Sequence, residues 1–200
     1  MIAYAIETAK KSGLFEKVIV STDDQEIAEI ATKYEAEVPF MRPAELANDF
    51  AGTVPVIAHA ISFCQSLGWK IENACCIYPC TPLLQVEDLK LAFEKLIDQS
   101  VDFVFPVCEF PSAIQRALKQ NTNGRMEPFY PQFEQTRTQD LDKAYHDAGQ
   151  FYWGKAEAWI GEKKIHSGGI GLIIPSWRVV DIDTPEDWIR AESTSVFLKV

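Results

Sequence analysis

The chain has 200 residues, 47% hydrophobic and 24% charged, a balance that suits one globular domain with a full core. Its formal net charge of -10 argues against nucleic acid and anionic membrane as partners, but an anionic small substrate stays admissible because a local basic cluster or a metal overrides the global field. No apolar run is long enough to span a bilayer, no basic-then-apolar leader opens the chain, and five cysteines form no C-x-x-C pair, so reduced thiols in a cytoplasmic protein are expected.

Ile2, Ala5, Ile6 and Ala9 recur at helical spacing, and Gly13 ends that helix. Lys17 to Val20 reads as a short buried strand. Asp23 with Glu26 opens a helix whose apolar face is Ile27, Ile30, Ala31 and Tyr34. Ala36 to Phe40 is a second extended piece, ended by Arg42-Pro43. Val54, Ile57, Ala58 and Ile61 mark a third helix that stops near Gly68. Ala74 to Tyr78 is apolar throughout and is broken by Pro79 and Pro82. Leu89, Ala92, Phe93 and Leu96 mark a fourth helix, and Val101 to Val107 is another buried strand. Strands apolar on both faces, alternating with helices, predict an α/β fold: an open, mostly parallel sheet with helices on both faces.

The alternation breaks at about residues 108–154, a stretch richer in Gln, Asn, Thr, Arg and Pro that closes on the aromatic strand Tyr145 to Gly154. It reads as a partly antiparallel excursion within a single domain of residues 1–200, with exposed aromatics for self-association. The chain returns to the sheet at Ile170 to Ile174. Arg178 to Asp183 reads as a strand, which puts Asp181 and Asp183 on one face. Thr184, Pro185 and Asp187 are a helix start with a capping box.

Ligands in such folds sit at the carboxyl ends of the strands. The candidates there are Ser21 to Asp24, Arg42, Tyr78 to Leu83, and Asp181 with Asp183. Two adjacent carboxylates suit a divalent cation such as magnesium, although Asp-x-Asp-Thr-Pro is equally plain strand-to-helix punctuation. Arg42 could pair with phosphate or a base carbonyl, and Arg116 and Arg137 could hold a substrate carboxylate; each also reads as an ordinary solvated arginine. His146-Asp147 could be an acid–base pair, whereas His59 and His166 show no partner pattern.

Several motifs then agree. Val20-Ser21-Thr22-Asp23-Asp24, Phe40-Met41-Arg42-Pro43, Tyr78-Pro79-Cys80-Thr81-Pro82-Leu83 and Val180-Asp181-Ile182-Asp183-Thr184 come in the order seen in CMP-sugar synthetases, and the chain resembles that family from residue 1 to about 192. Gln115-Arg116-Ala117-Leu118, Thr138-Gln139-Asp140-Leu141 and Tyr145-His146-Asp147-Ala148-Gly149-Gln150-Phe151-Tyr152-Trp153-Gly154 narrow the resemblance to the pseudaminic acid cytidylyltransferases. The resemblance implies CMP transfer from CTP to a nonulosonic acid, with magnesium, in a homodimer whose excursion reaches the partner's active site. It implies that Asp181 and Asp183 hold metal and that Arg42, Thr53 and Tyr78 lie at the nucleotide. It also implies that Arg137 faces the sugar acid, with Gln139, His146 and Gln150 beside it.

Three departures qualify this. Tyr78 stands where the family has a cytosine-contacting glutamine, and His146 stands where the sialic acid enzymes have a second arginine. Met1-Ile2-Ala3-Tyr4 matches the helix that follows the family's first strand and its Gly- and Lys/Arg-rich phosphate loop. An upstream start is therefore expected, and the chain as it stands is expected to turn over CTP weakly or not at all. The same chemistry on sialic acid or another keto-sugar acid, and a non-catalytic dimeric remnant, are the competing readings. An epimerase or dehydrogenase is disfavoured because no G-x-G-x-x-G follows a predicted strand.

Overall fold

The computed structural model describes residues 1–99 and 101–198. Helix α1 (Ile2–Ser12) buries Ala5, Ile6 and Ala9 and ends at Gly13, whose φ of 69° is left-handed backbone that glycine adopts without strain. Helix α2 (Gln25–Lys33) is capped by Asp24, whose carboxylate accepts the Ile27 N–H at 2.9 Å. That is one residue beyond the predicted Asp23. The buried Thr22 hydroxyl accepts the Asp24 N–H at 3.1 Å and so fixes which aspartate caps. Helices α3 (Thr53–Ser66) and α4 (Val86–Asp98) turn Ala58, Ile61 and Cys64, and Leu89, Ala92 and Leu96, inward.

The strands are β1 (Asn73–Ile77), β2 (Phe103–Glu109), the hairpin of β3 (Leu118–Gln120) and β4 (Met126–Pro128), β5 (Tyr145–Asp147), β6 (Phe151–Lys155) and β7 (Ile170–Ile173). Val104 pairs with both Trp153 and Ile170, and Val107 with both Asp147 and Ile173. So β5 and β6 lie along one side of β2, and β7 lies along the other. β6 also pairs antiparallel with β1, from Asn73↔Lys155 to Ile77↔Phe151. The sheet order is therefore β1, β6, β2, β7, with β5 continuing β6 past a bulge at Ala148, Gly149 and Gln150. β1, β2 and β7 share one direction, and β5 and β6 run against it. Among the described residues the two extended pieces near the start pair with each other alone, as parallel bridges Ile19↔Glu37 and Thr22↔Met41.

Side chains alternate across the sheet and fill two cores. Ile61, Phe103, Phe105, Tyr152 and Trp159 pack on the side of α3 and α5 (Ala156–Ile160). Leu89, Leu96, Val104, Phe151, Trp153 and Leu172 pack on the side of α4, where Phe15 stacks on Trp153 at 5.0 Å. The α/β architecture with helices on both faces is the one expected. Each fully buried large side chain contributes roughly 1.5–3 kcal/mol of transfer free energy.

Two local expectations are corrected. Phe151, Tyr152 and Trp153 are buried, because β6 is an interior strand and both of its neighbours cover it. The exposed apolar side chains of the excursion are Phe110, Leu118, Met126, Phe129, Tyr130 and Tyr145. Arg178 to Asp183 is no strand: a 3-10 turn at Ser176–Arg178 redirects the chain, and the residues after it join no strand among the described residues and bend at Asp183 and Thr184 before α6 (Pro185–Leu198). A β-branched run sets an extended backbone, but only a free sheet edge in reach makes it a strand. The capping box holds: the Asp187 carboxylate accepts the Thr184 N–H at 3.0 Å and its hydroxyl at 2.6 Å.

The five cysteines are unbridged. Burial pushes the Cys76 thiol up to about 12 and Cys75 well above the ordinary range, whereas Cys80 is exposed in the turn after β1. No helix among the described residues is long and apolar enough to cross a membrane.

Candidate functional site

The carboxyl ends of β1 and β2, the bulge between β5 and β6, and the start of α3 meet at one edge of the sheet. Tyr78 follows β1, and its N–H donates to the Gln150 carbonyl at 2.9 Å. The Tyr78 phenol lies 2.7 Å from the hydroxyl of Thr53, the first residue of α3. So the sequence candidates Thr53, Tyr78 and Gln150 are brought together. Gln150 is 4% exposed and its Oε1 is buried without a partner among the described residues. An unsatisfied buried acceptor is costly unless a ligand or water serves it. Its Nε2 makes a long contact of 3.4 Å to the Arg178 carbonyl.

Arg42 is held from the paired pieces of chain near α2. Its Nη2 donates to the Ser21 carbonyl at 2.6 Å, its backbone N–H donates to the Thr22 carbonyl at 2.8 Å, and its Nε is buried with no partner among the described residues. Part of the guanidinium thus orients the side chain while a donor is left over, as a phosphate or carbonyl contact needs.

Asp181 and Asp183 are both exposed. They are anchored just upstream, where Arg178 forms a two-pronged ion pair with Asp88 in the first turn of α4. The Arg178 and Asp88 side chains are only 13% and 6% exposed. Sequence reasoning missed this pair. The available signal was Asp88 itself, an acid beside Leu89 and one turn before Ala92 on an apolar helix face, which demands a buried partner. Among the described residues no three His, Cys, Asp or Glu side chains gather as a metal cluster. Two exposed carboxylates fit magnesium that draws its remaining oxygens from substrate phosphate and water.

The other candidates make different contacts. Arg137 is exposed and paired with Asp140 at 2.7 Å, and Gln139 is exposed beside it; among the described residues neither bonds to Thr53, Tyr78 or Gln150. Arg116 donates to the carbonyls of Glu134 and Thr136 and braces the excursion. His146 lies edge-on to Phe110 at 5.0 Å, with Nδ1 at 2.9 Å from the Asp147 carbonyl oxygen. His146 and Asp147 are not an acid–base pair, because adjacent strand residues point to opposite faces. The Asp147 carboxylate instead meets Tyr152 and His166. Burial, then the neighbouring carboxylate, pushes the Tyr152 phenol upward, so it stays a neutral donor.

An α/β sheet with polar groups converging at its carboxyl edge defines a nucleotide-binding class of fold. The structure of a CMP:2-keto-3-deoxy-manno-octonic acid synthetase complexed with CTP matches at a TM-score of 0.68 and 11% identity, covering 98% of this chain and 88% of that one. A 4-diphosphocytidyl-2C-methyl-D-erythritol synthase matches at a TM-score of 0.62 and 11% identity, covering 96% and 88%. Residues 1–156 match the cytidylyltransferase family, and the chain belongs to it. It is 42% identical over 190 residues to a pseudaminic acid cytidylyltransferase of Campylobacter jejuni, covering 94% of this chain and 81% of the relative. It is 28% identical over 202 residues to a CMP-N,N'-diacetyllegionaminic acid synthase of Legionella pneumophila, covering 96% and 83%.

Proposed function

We propose that the protein transfers CMP from CTP to the anomeric hydroxyl of a nonulosonic acid, pseudaminic acid, and releases pyrophosphate. The observation that carries this is the 42% identity, along 94% of the chain, to a relative named for that reaction. The edge geometry supports it. Thr53 and Tyr78 offer neutral hydroxyls to the nucleotide, and Arg42 offers a preoriented cation. Gln150 offers an acceptor that protein groups leave unserved.

The sugar hydroxyl loses its proton to solvent, and its oxygen bonds to the α-phosphorus as the bond to pyrophosphate breaks and its electron pair leaves with the pyrophosphate. Both substrates are anions, so their approach needs positive charge. Asp181 and Asp183 would hold magnesium, which when bound neutralises phosphate charge and acidifies the attacking hydroxyl. Asp88, through Arg178, fixes the backbone that carries them.

The excursion of residues 108–154 forms a homodimer in this reading. Its exposed Leu118, Met126, Phe129 and Tyr130 supply the apolar contact, and Arg137 and Gln139 face the sugar acid in the partner's site. The reaction belongs in the cytoplasm, with CTP. The test is an assay with CTP and magnesium on pseudaminic acid and, in parallel, on N-acetylneuraminic and legionaminic acids. A CMP-sugar and pyrophosphate, however slowly formed, are expected from pseudaminic acid ahead of the other two acids; preference for another acid would move the assignment to that sugar. Sedimentation of the wild type and of Phe129→Asp tests the dimer, which the aspartate is expected to dissociate.

A further inference from the structure

His166 is more firmly held than its 61% side-chain exposure leads one to expect. Its Nε2 lies 2.6 Å from Asp147 Oδ2. That oxygen also accepts the Tyr152 hydroxyl at 2.9 Å, and Oδ1 accepts the Gly149 N–H at 2.8 Å. Phe105 meets the imidazole edge-on at 4.9 Å. The loop itself is pinned on both sides of the histidine. Ile165 is buried, and Gly169 presses so close to β2 that a Cβ there would lie 2.5 Å from the Ile165 carbonyl oxygen and 2.8 Å from the Phe105 ring.

Holding an exposed side chain in one geometry costs rotamer entropy, and an exposed contact with a carboxylate returns only about 0–1 kcal/mol. Fold stability alone is thus a poor reason for the arrangement. A carboxylate opposite Nε2 keeps a proton on that nitrogen, and the tautomer this selects presents Nδ1 as an acceptor. Nδ1 has no partner among the described residues. The place is also informative. Asp147 adjoins the bulge that carries Gln150, and the Tyr152 ring lies 5.4 Å from the Tyr78 ring.

We infer that His166, oriented by Asp147, is a further substrate contact whose Nδ1 accepts a hydrogen bond from a hydroxyl or amide N–H of the bound sugar acid. It helps to select which acid is taken. This rests on the function proposed above. Asp147 is the positioning residue: it fixes the tautomer and the ring plane and need not touch the substrate.

The test is calorimetry on the whole chain, titrating pseudaminic acid in the presence of saturating CMP and magnesium, and titrating CMP separately. His166→Phe keeps a ring but has no acceptor, and is expected to weaken sugar-acid binding about tenfold, the worth of one hydrogen bond. CMP affinity should stay within about twofold. His166→Gln can donate to Asp147 and still accept, and should recover part of the loss. Unchanged sugar-acid binding in His166→Phe overturns the inference alone. So does an equal loss of CMP affinity, which marks a merely structural role. A wild-type chain that binds neither ligand overturns the functional reading, and the inference falls with it.

Discussion

Tyr78 and Gln150 flank paired strands, are tied to each other through the backbone, and Gln150 is almost wholly buried. Asp181 and Asp183, by contrast, stand on unpaired backbone in water, restrained by an ion pair three residues upstream of the first. The contrast follows from charge. Neutral polar groups can be placed in advance at the cost of a hydrogen bond each, whereas two neighbouring carboxylates repel and lose solvation if buried before a cation arrives. A polar cluster of this composition can therefore be rigid at its neutral side and solvated at its acidic side.

The comparison is broken most severely at Arg178. Arg178→Met leaves Asp88 buried without a partner and is expected to lower stability by roughly 3–5 kcal/mol, read by urea unfolding. The double variant with Asp88→Leu should recover much of that loss; simple additivity would show that the pair is not coupled. Next comes Asp181→Asn. It should cut turnover by about a hundredfold while weakening sugar-acid binding little, because the charge matters most as the transition state forms. Unchanged turnover at saturating magnesium would remove Asp181 from the metal role. Tyr78→Phe is smaller. It strips one partner from Thr53 and is expected to cost about 1 kcal/mol in CTP affinity or stability, measured by calorimetry and melting.

The smallest effect is a pH dependence at the acidic side. The Thr184 hydroxyl, foremost, holds the Asp187 carboxyl below its ordinary value of 3.8. An acid held low in the folded state stabilises it above the unfolded value and loses that contribution as pH falls through the folded value. The start of α6 should therefore fray in acid below about pH 4, seen as faster amide exchange at Trp188 and Ile189. In Thr184→Ala that dependence should be much reduced, and its persistence would place the cause elsewhere.

Local chemistry was readable from sequence. Gly13 at the end of α1, Thr184 with Asp187 at the start of α6, and the apolar runs of β1 and β2 each rest on neighbouring residues. What escaped depends on partners far along the chain. Arg178 and Asp88 are separated by 90 residues, and His166 meets an aspartate on a strand whose direction an apolar run does not encode. The segment after Arg178 was misread as a strand because extended propensity does not say whether a free edge lies nearby. Thr53, Tyr78 and Gln150 were proposed as site residues through motif order, and their meeting is a product of the fold. Arg137 was not joined to these three: it is exposed and pairs with Asp140, three residues further on.

The antiparallel course of β6 also governs how the chain can fold. β1 and β2 do not touch each other's ladders; β6 bridges them, and its register ties Asn73 to Lys155 and Phe103 to Gly154. The first of those pairings closes a long loop, an entropic toll that the helices formed earlier cannot reduce. The central sheet thus waits for the segment around residue 151 to leave the ribosome, and until then β1 and β2 expose apolar edges. High contact order of this kind slows folding, and it makes Phe151-Tyr152-Trp153 the latch on which the sheet closes.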